Sequence, residues 1–134
     1  MLINSSPPAI KSEQLTILVV DDDPVVRLLL ETTIQGGPYR VLSATDGEQA
    51  VFAAHQHHPK VILMDVSMPK MDGFEACRRI KNDPATQDIR VIMITAKAQA
   101  DDRARGIAVG VDAYMTKPFS PLQLLESIEA HMGH

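Results

Sequence analysis

Three short runs of almost purely apolar residues constrain this chain more than any other feature: Ile17-Leu18-Val19-Val20, Val61-Ile62-Leu63-Met64 and Val91-Ile92-Met93-Ile94. A strand without alternation is covered on both faces, as in parallel sheets enclosed by helices. Weaker runs at Arg40-Val41-Leu42-Ser43-Ala44 and Ala113-Tyr114-Met115-Thr116 complete five candidate strands. The segments between them carry helical spacing and start signals. Asp23 can cap a helix whose first position is Pro24, where the missing N–H costs nothing. Asp46-Gly47-Glu48 opens a second helix, and Asp72 with Glu75, like Ser120 with Gln123 behind Pro121, has capping-box spacing. A further helix is expected within Ala98–Val109, ending at Gly110. Strands alternate with helices throughout, which predicts an α/β fold in one domain over residues 15–134. Residues 1–14 are Ser-, Pro- and Asn-rich without periodicity, and are expected to form a flexible tail.

Composition bounds the function. At 134 residues, 45% hydrophobic and 22% charged, the chain is long and apolar enough for a real core. A formal charge of -4 offers no basic footprint for direct contact with nucleic acid. The lone Cys77 forms neither an internal disulfide nor a metal cluster, and it reads as a small packing residue. The first residues lack the basic start and apolar stretch of a secretory signal, and no apolar run approaches the ~18 residues of a membrane span. The expectation is a cytoplasmic protein without membrane insertion.

The polar residues that end the strands carry the chemistry. The first run leads into Asp21-Asp22-Asp23, the second into Asp65, the third into Thr95, and the fifth strand into Lys117-Pro118. Ligands of doubly wound sheets bind outside the carboxyl ends of the strands. Three clustered carboxylates repel one another unless a cation compensates. An all-oxygen site suits Mg²⁺, often shared with a phosphoryl group, and Lys117 could neutralise an oxygen the metal does not reach. Asp23 is sufficiently explained as the cap before Pro24. A single acid after a strand is commonly a solvated turn residue, but Asp21, Asp22 and Asp65 together with Thr95 and Lys117 on one edge are not explained that way.

These residues resemble the receiver domain of bacterial two-component response regulators, in the form of a stand-alone, chemotaxis-regulator-like protein. The resemblance rests on Ile17–Pro24, on Asp65-Val66-Ser67-Met68-Pro69-Lys70-Met71-Asp72-Gly73, on Val91–Ala96 and on Gly110–Phe119, with Asp46-Gly47 in support. It spans about residues 15–131. It implies a flavodoxin-like, doubly wound parallel sheet in the order 2-1-3-4-5 with five helices. By the same resemblance Asp65 is the phosphoacceptor. Asp21, Asp22, Asp65 and the backbone carbonyl of Ser67 hold Mg²⁺, and Thr95 and Lys117 meet the phosphoryl group. Thr95 and Tyr114 form the switch, and the Lys117–Pro118 bond is cis, a form that costs proline only ~0.5–1 kcal/mol. The donor implied is a sensor histidine kinase or histidine phosphotransfer protein, the recipient a downstream protein, and the state a monomer or phosphorylation-dependent dimer. Such a protein is a switch that catalyses its own phosphorylation and dephosphorylation, not an enzyme of external turnover. A metal-dependent phosphohydrolase would use the same carboxylates, but no additional acid–base residue stands beside Asp65. A constitutive docking module would not need Asp65, Thr95 and Lys117 together. Val111 stands where the family commonly has Ala, and Ser67 and Lys97 occupy positions that vary and tune phosphate lifetime.

The first helix is apolar almost all round. Val26, Leu29, Leu30 and Ile34 suffice for a core stripe, which leaves Val25 and Leu28 to dock a helical phosphodonor. His55, His57, His58, His131 and His134 lie near helix ends, where the dipole favours them over any metal-binding role.

Overall fold

A computed structural model describes residues 15–96 and 100–132. The tail over 1–14, Lys97, the start expected at Ala98 and His134 lie outside the described residues. The elements are β1 (Thr16–Val20), α1 (Pro24–Gln35), β2 (Arg40–Ala44), α2 (Gly47–His57), β3 (Val61–Met64), α3 (Gly73–Lys81), β4 (Arg90–Thr95), α4 (Ala100–Val109), β5 (Ala113–Thr116) and α5 (Pro121–Ala130). The strands form one parallel sheet in the order β2-β1-β3-β4-β5.

The period of two along each strand divides the core. Leu18, Val20, Ile62, Met64, Val91 and Met93 face one way and meet Ala50, Ala54, Phe74, Ala76, Cys77 and Ile80 of α2 and α3. Ile17, Val19, Val61, Leu63, Ile92 and Ile94 face the other way, against Leu30 and Ile34 of α1 and Leu124 and Ile128 of α5. Both faces of the three central strands are therefore dry, which is why their sequences show no alternation.

Side-chain caps hold the helix starts as the sequence predicts. Asp23 accepts from the amide of Val25, Asp46 from Gln49, Asp72 from Glu75 and Ser120 from Gln123. At α3 the box is one-sided, because the Glu75 carboxylate turns to Arg78 and Arg79. Cys77 is buried against Val109, and burial pushes its thiol up to about 12, which makes it chemically inert.

Helix α1 departs from expectation at one residue. Leu30 and Ile34 are buried and Val26 is half-buried, but Leu29 is 51% exposed. With about 100° between successive residues, Val26, Leu30 and Ile34 complete a stripe by themselves. Leu29 instead falls on the side of Val25, four residues before it.

The C-terminus of α2 is pinned to the loop after α3 by two histidines. His55 Nε2 lies 2.7 Å from Asp83, and His58 Nε2 pairs with Asp88. The bond to Asp83, helped by the Val51 carbonyl, raises His55 above the ordinary 6.5, while the same bond lowers Asp83. The raised histidine contributes stability below about pH 6.5 that is lost as pH climbs through its folded value. The depressed carboxylate sets the acid limit of the same window. NMR titration should find His55 above 6.5, and Asp83→Asn should bring it back toward that value. A wild-type titration at or below the ordinary value would refute the pairing.

Candidate functional site

Reversal of strand order at β1 opens a crevice at the carboxyl ends of β1 and β3, and Asp21 and Asp65 are the residues that follow those strands. Asp21 is buried and held at every polar atom. Its Oδ1 accepts from the Asp23 amide at 2.9 Å, its Oδ2 from Lys117 Nζ at 2.9 Å, and its carbonyl from Arg27 Nη1 at 2.7 Å. Asp22 is exposed beside it. Asp65 is also buried; its Oδ1 accepts from the Val66 amide at 2.7 Å and its Oδ2 from Lys117 Nζ at 3.3 Å. One ammonium therefore spans both carboxylates.

The loop after β3 is closed tightly on Asp65. The Gly73 amide donates to the Val66 carbonyl at 2.8 Å, and a Cβ on Gly73 would fall 2.3 Å from the Asp65 carbonyl oxygen. Only glycine allows that approach. Ser67, within the loop, is exposed. Thr95 ends β4 fully buried, and its carbonyl accepts from the Lys117 amide at 3.0 Å. The Lys117–Pro118 peptide is cis.

Tyr114 pairs in register with Met93, so it shares a sheet face with Thr95 two residues on. Its hydroxyl donates to the Asp102 carbonyl at 2.7 Å, and its ring rests on Gly106, where a Cβ would come 2.2 Å from the hydroxyl. Arg103 lies over the ring at 5.3 Å.

Charge explains the titration of the site. Burial raises Asp65 above the ordinary 3.8, and Asp21 adds to the effect, while Lys117 opposes it. Burial alone would lower Lys117, but its hydrogen bond to Asp21 and the charges of Asp65 and Asp21 hold it above the usual lysine range. Asp21, Asp22 and Asp65 each present a carboxylate oxygen within 4.8 Å of the others. This all-oxygen, strongly anionic donor set fits Mg²⁺.

An acid whose folded pKa is raised weakens the fold once it ionises, so Asp65 disfavours folding at neutral pH and less so in acid. Asp65→Asn should raise Tm by a few degrees at pH 7, with the gain shrinking as pH falls toward 4. Thermal melts at both pH values check this, and an equal or lower Tm for the variant at pH 7 would contradict it.

Of the residues expected from sequence, Asp21, Asp22, Asp65 and Lys117 converge on one edge, with Thr95 at the end of the adjoining strand. Val25 and Leu28 are 72% and 62% exposed on the first turns of α1. Sequence reasoning missed Arg27, whose link to Asp21 spans six residues and matches no local motif. It also missed Leu122, exposed at the start of α5, and Arg105 of α4, which packs on the face of Phe74.

An acidic pair, a lone acid and a lysine stand around the switch point of a 2-1-3-4-5 sheet, which places the chain by class among flavodoxin-like proteins with an anionic site at that point. The sequence profile of the response regulator receiver domain matches residues 17–129, so the chain belongs to that family of two-component signalling domains. It is 38% identical over 122 residues to the protein PilG of Pseudomonas aeruginosa, covering 91% of this chain and 90% of that one. It is 41% identical over 114 residues to the probable transcriptional regulator ycf27 of Guillardia theta. That match covers 85% of this chain but only 44% of the relative, so the chain spans less than half of that protein's length. Among solved structures it resembles the receiver domain of the sensor histidine kinase PA1611 from Pseudomonas aeruginosa, which has magnesium coordinated in its active-site cleft. The TM-score is 0.83 at 32% identity, over 90% of this chain and 99% of that one. No helix among the described residues is long and apolar enough to cross a membrane.

Proposed function

We propose that this receiver domain is a Mg²⁺-dependent switch that accepts a phosphoryl group on Asp65 from a phosphohistidine of a kinase or phosphotransfer protein. The observation that carries the reading is the placement of Lys117 Nζ, 2.9 Å from Asp21 and 3.3 Å from Asp65. A carboxylate attacks an anionic phosphoryl group slowly unless the repulsion between them is offset. Asp21, Asp22 and Asp65, with the Ser67 carbonyl, would hold Mg²⁺, which would supply part of the offsetting charge when bound. Lys117 supplies the rest by exchanging a carboxylate for a phosphoryl oxygen.

In the transfer, an Asp65 oxygen bonds to phosphorus as the bond between phosphorus and the donor's imidazole nitrogen breaks. The imidazole keeps the electron pair and takes a proton from solvent. Water later cleaves the acyl phosphate, so the switch resets without turning over an external substrate. Thr95 donates its hydroxyl to a new phosphoryl oxygen, and Tyr114 repacks against the space it leaves, changing the surface offered to a downstream protein. Magnesium in the related receiver cleft supports the metal assignment.

Intact mass after incubation with acetyl phosphate tests the reading. The expected result is a phosphoryl adduct that needs Mg²⁺ and is absent from Asp65→Asn. A folded protein that never forms the adduct, with hydrolysis shown too slow to hide it, would favour the docking-module reading.

The donor is proposed to dock on α1. Val25, Leu28 and Leu29 form one exposed apolar face, and Leu122 is exposed at the start of α5. Helix α1 begins directly after Asp21-Asp22-Asp23, and α5 begins shortly after Lys117, so both first turns border the acidic edge. A helical donor laying its own apolar face there would bring its histidine to Asp65. Val25→Ser with Leu28→Ser should slow transfer from a phosphotransfer protein by roughly tenfold, the loss of one or two apolar anchors, and leave the acetyl phosphate reaction unchanged. Equal losses with both donors would refute this docking site.

A further inference from the structure

Helix α4 is attached to the rest of the domain by little apolar burial. Among its described side-chain positions only Gly106 is buried, whereas α3 buries Phe74, Ala76, Cys77 and Ile80. The position of α4 therefore depends on the half-buried Val109 at its end, whose carbonyl lies 3.6 Å from Cys77 Sγ, and on two contacts nearer its middle. One is Tyr114, seated on Gly106 with its hydroxyl on the Asp102 carbonyl. The other belongs to the preceding residue, Arg105. Its guanidinium carbon lies 4.7 Å from the centroid of the Phe74 ring, and its Nη2 lies 3.5 Å from Asp72 Oδ2. Asp72 and Phe74 flank Gly73, the residue whose backbone rests on the Asp65 carbonyl.

We infer that Arg105 is a positioning residue that tethers α4 to the loop carrying the phosphoacceptor, a connection separate from the one through Thr95 and Tyr114. The tether rests on the reading of Asp65 as the phosphoacceptor site. It works because the loop is stiff. Gly73 is bonded to Val66 and pressed on Asp65, so Asp72 cannot shift without disturbing the backbone beside the carboxylate. The planar guanidinium stacks on a ring and meets a carboxylate together, which an amide of similar length does not. By linkage, whatever binds at the acidic edge alters α4, and whatever holds α4 alters affinity at the acidic edge by the same factor.

Two variants separate the tether from general stability. Arg105→Gln removes an exposed charge and opens no cavity, and Asp72→Asn keeps a good helix cap while removing the ion pair. Amide hydrogen exchange without metal should speed up across α4 by about fivefold in each, the loss of one exposed ion pair or stacked cation, with α1 and α2 unchanged. Titration with Mg²⁺, followed by amide NMR, should shift residues around Asp21 and Asp65 in all three proteins. In the wild type the shifts should extend into α4, and in both variants that extension should fall by about half. Exchange and Mg²⁺-induced shifts of α4 that match the wild type in either variant would overturn the tether. A wild type with no Mg²⁺ response around Asp21 and Asp65 would instead overturn the functional reading, and exchange without metal would still judge the tether.

Discussion

Everything at the carboxyl edge depends on one ammonium spanning two buried carboxylates. Taking Asp21 and Asp65 out of water is unfavourable, and removing the only partner of a buried charge is costlier still. Lys117 meets both at once, 2.9 and 3.3 Å away. Asp21, Asp22 and Asp65 carry three negative charges and Lys117 one positive, which leaves two to be balanced by a divalent cation. The edge is thus partly compensated by Lys117 and still anionic enough to suit a divalent cation. A lysine suits this better than an arginine would. Its compact charge on a flexible stem can change partners, whereas a guanidinium fork would fix one geometry.

The sheet fixes where that compensation occurs. Because β1 lies between β2 and β3, the residues following β1 and β3 face each other across the crevice, while residues 17–20 and 61–64 are locked on both faces. Side chains packed on both sides leave the strand ends little room to drift. The distances between Asp21, Asp65 and Lys117 are set by strand register and by a loop closed on Gly73. Preorganisation of this kind suits the phosphoryl transfer proposed for Asp65, where holding charge in place is the larger part of catalysis.

Much of this arrangement was legible before any coordinates. Unbroken apolar runs announce strands buried on both faces, and the capping residues Asp23, Asp46, Asp72 and Ser120 announce where helices begin. Strand ends that turn polar mark one edge as chemical. Tertiary contacts between distant residues were not legible. Arg105 looks like one more surface charge in the run Asp101-Asp102-Arg103-Ala104-Arg105, and nothing local indicates that it reaches Phe74 and Asp72. Leu29 misled for a related reason. Helix α1 carries two apolar stripes, and local spacing cannot say which residues of the second one the sheet leaves uncovered.

The uneven attachment of the helices has a consequence for signalling. A fully buried large side chain is worth roughly 1.5–3 kcal/mol, so α3, with Phe74 and Ile80 in the core, cannot shift without a heavy loss. An exposed ion pair or cation over a ring is worth about 1 kcal/mol or less, and apart from the half-buried Val109 the described side chains of α4 are held mainly by contacts of that size. Elements with few buried apolar contacts are those that open or shift at low free energy. On the proposed reading, a perturbation at Asp65 need therefore supply only a small differential energy to move α4, while the same energy leaves α3 and the central strands in place. Weak attachment of one helix beside a rigid site is the physical condition under which the proposed change of charge at Asp65 would become a change of surface.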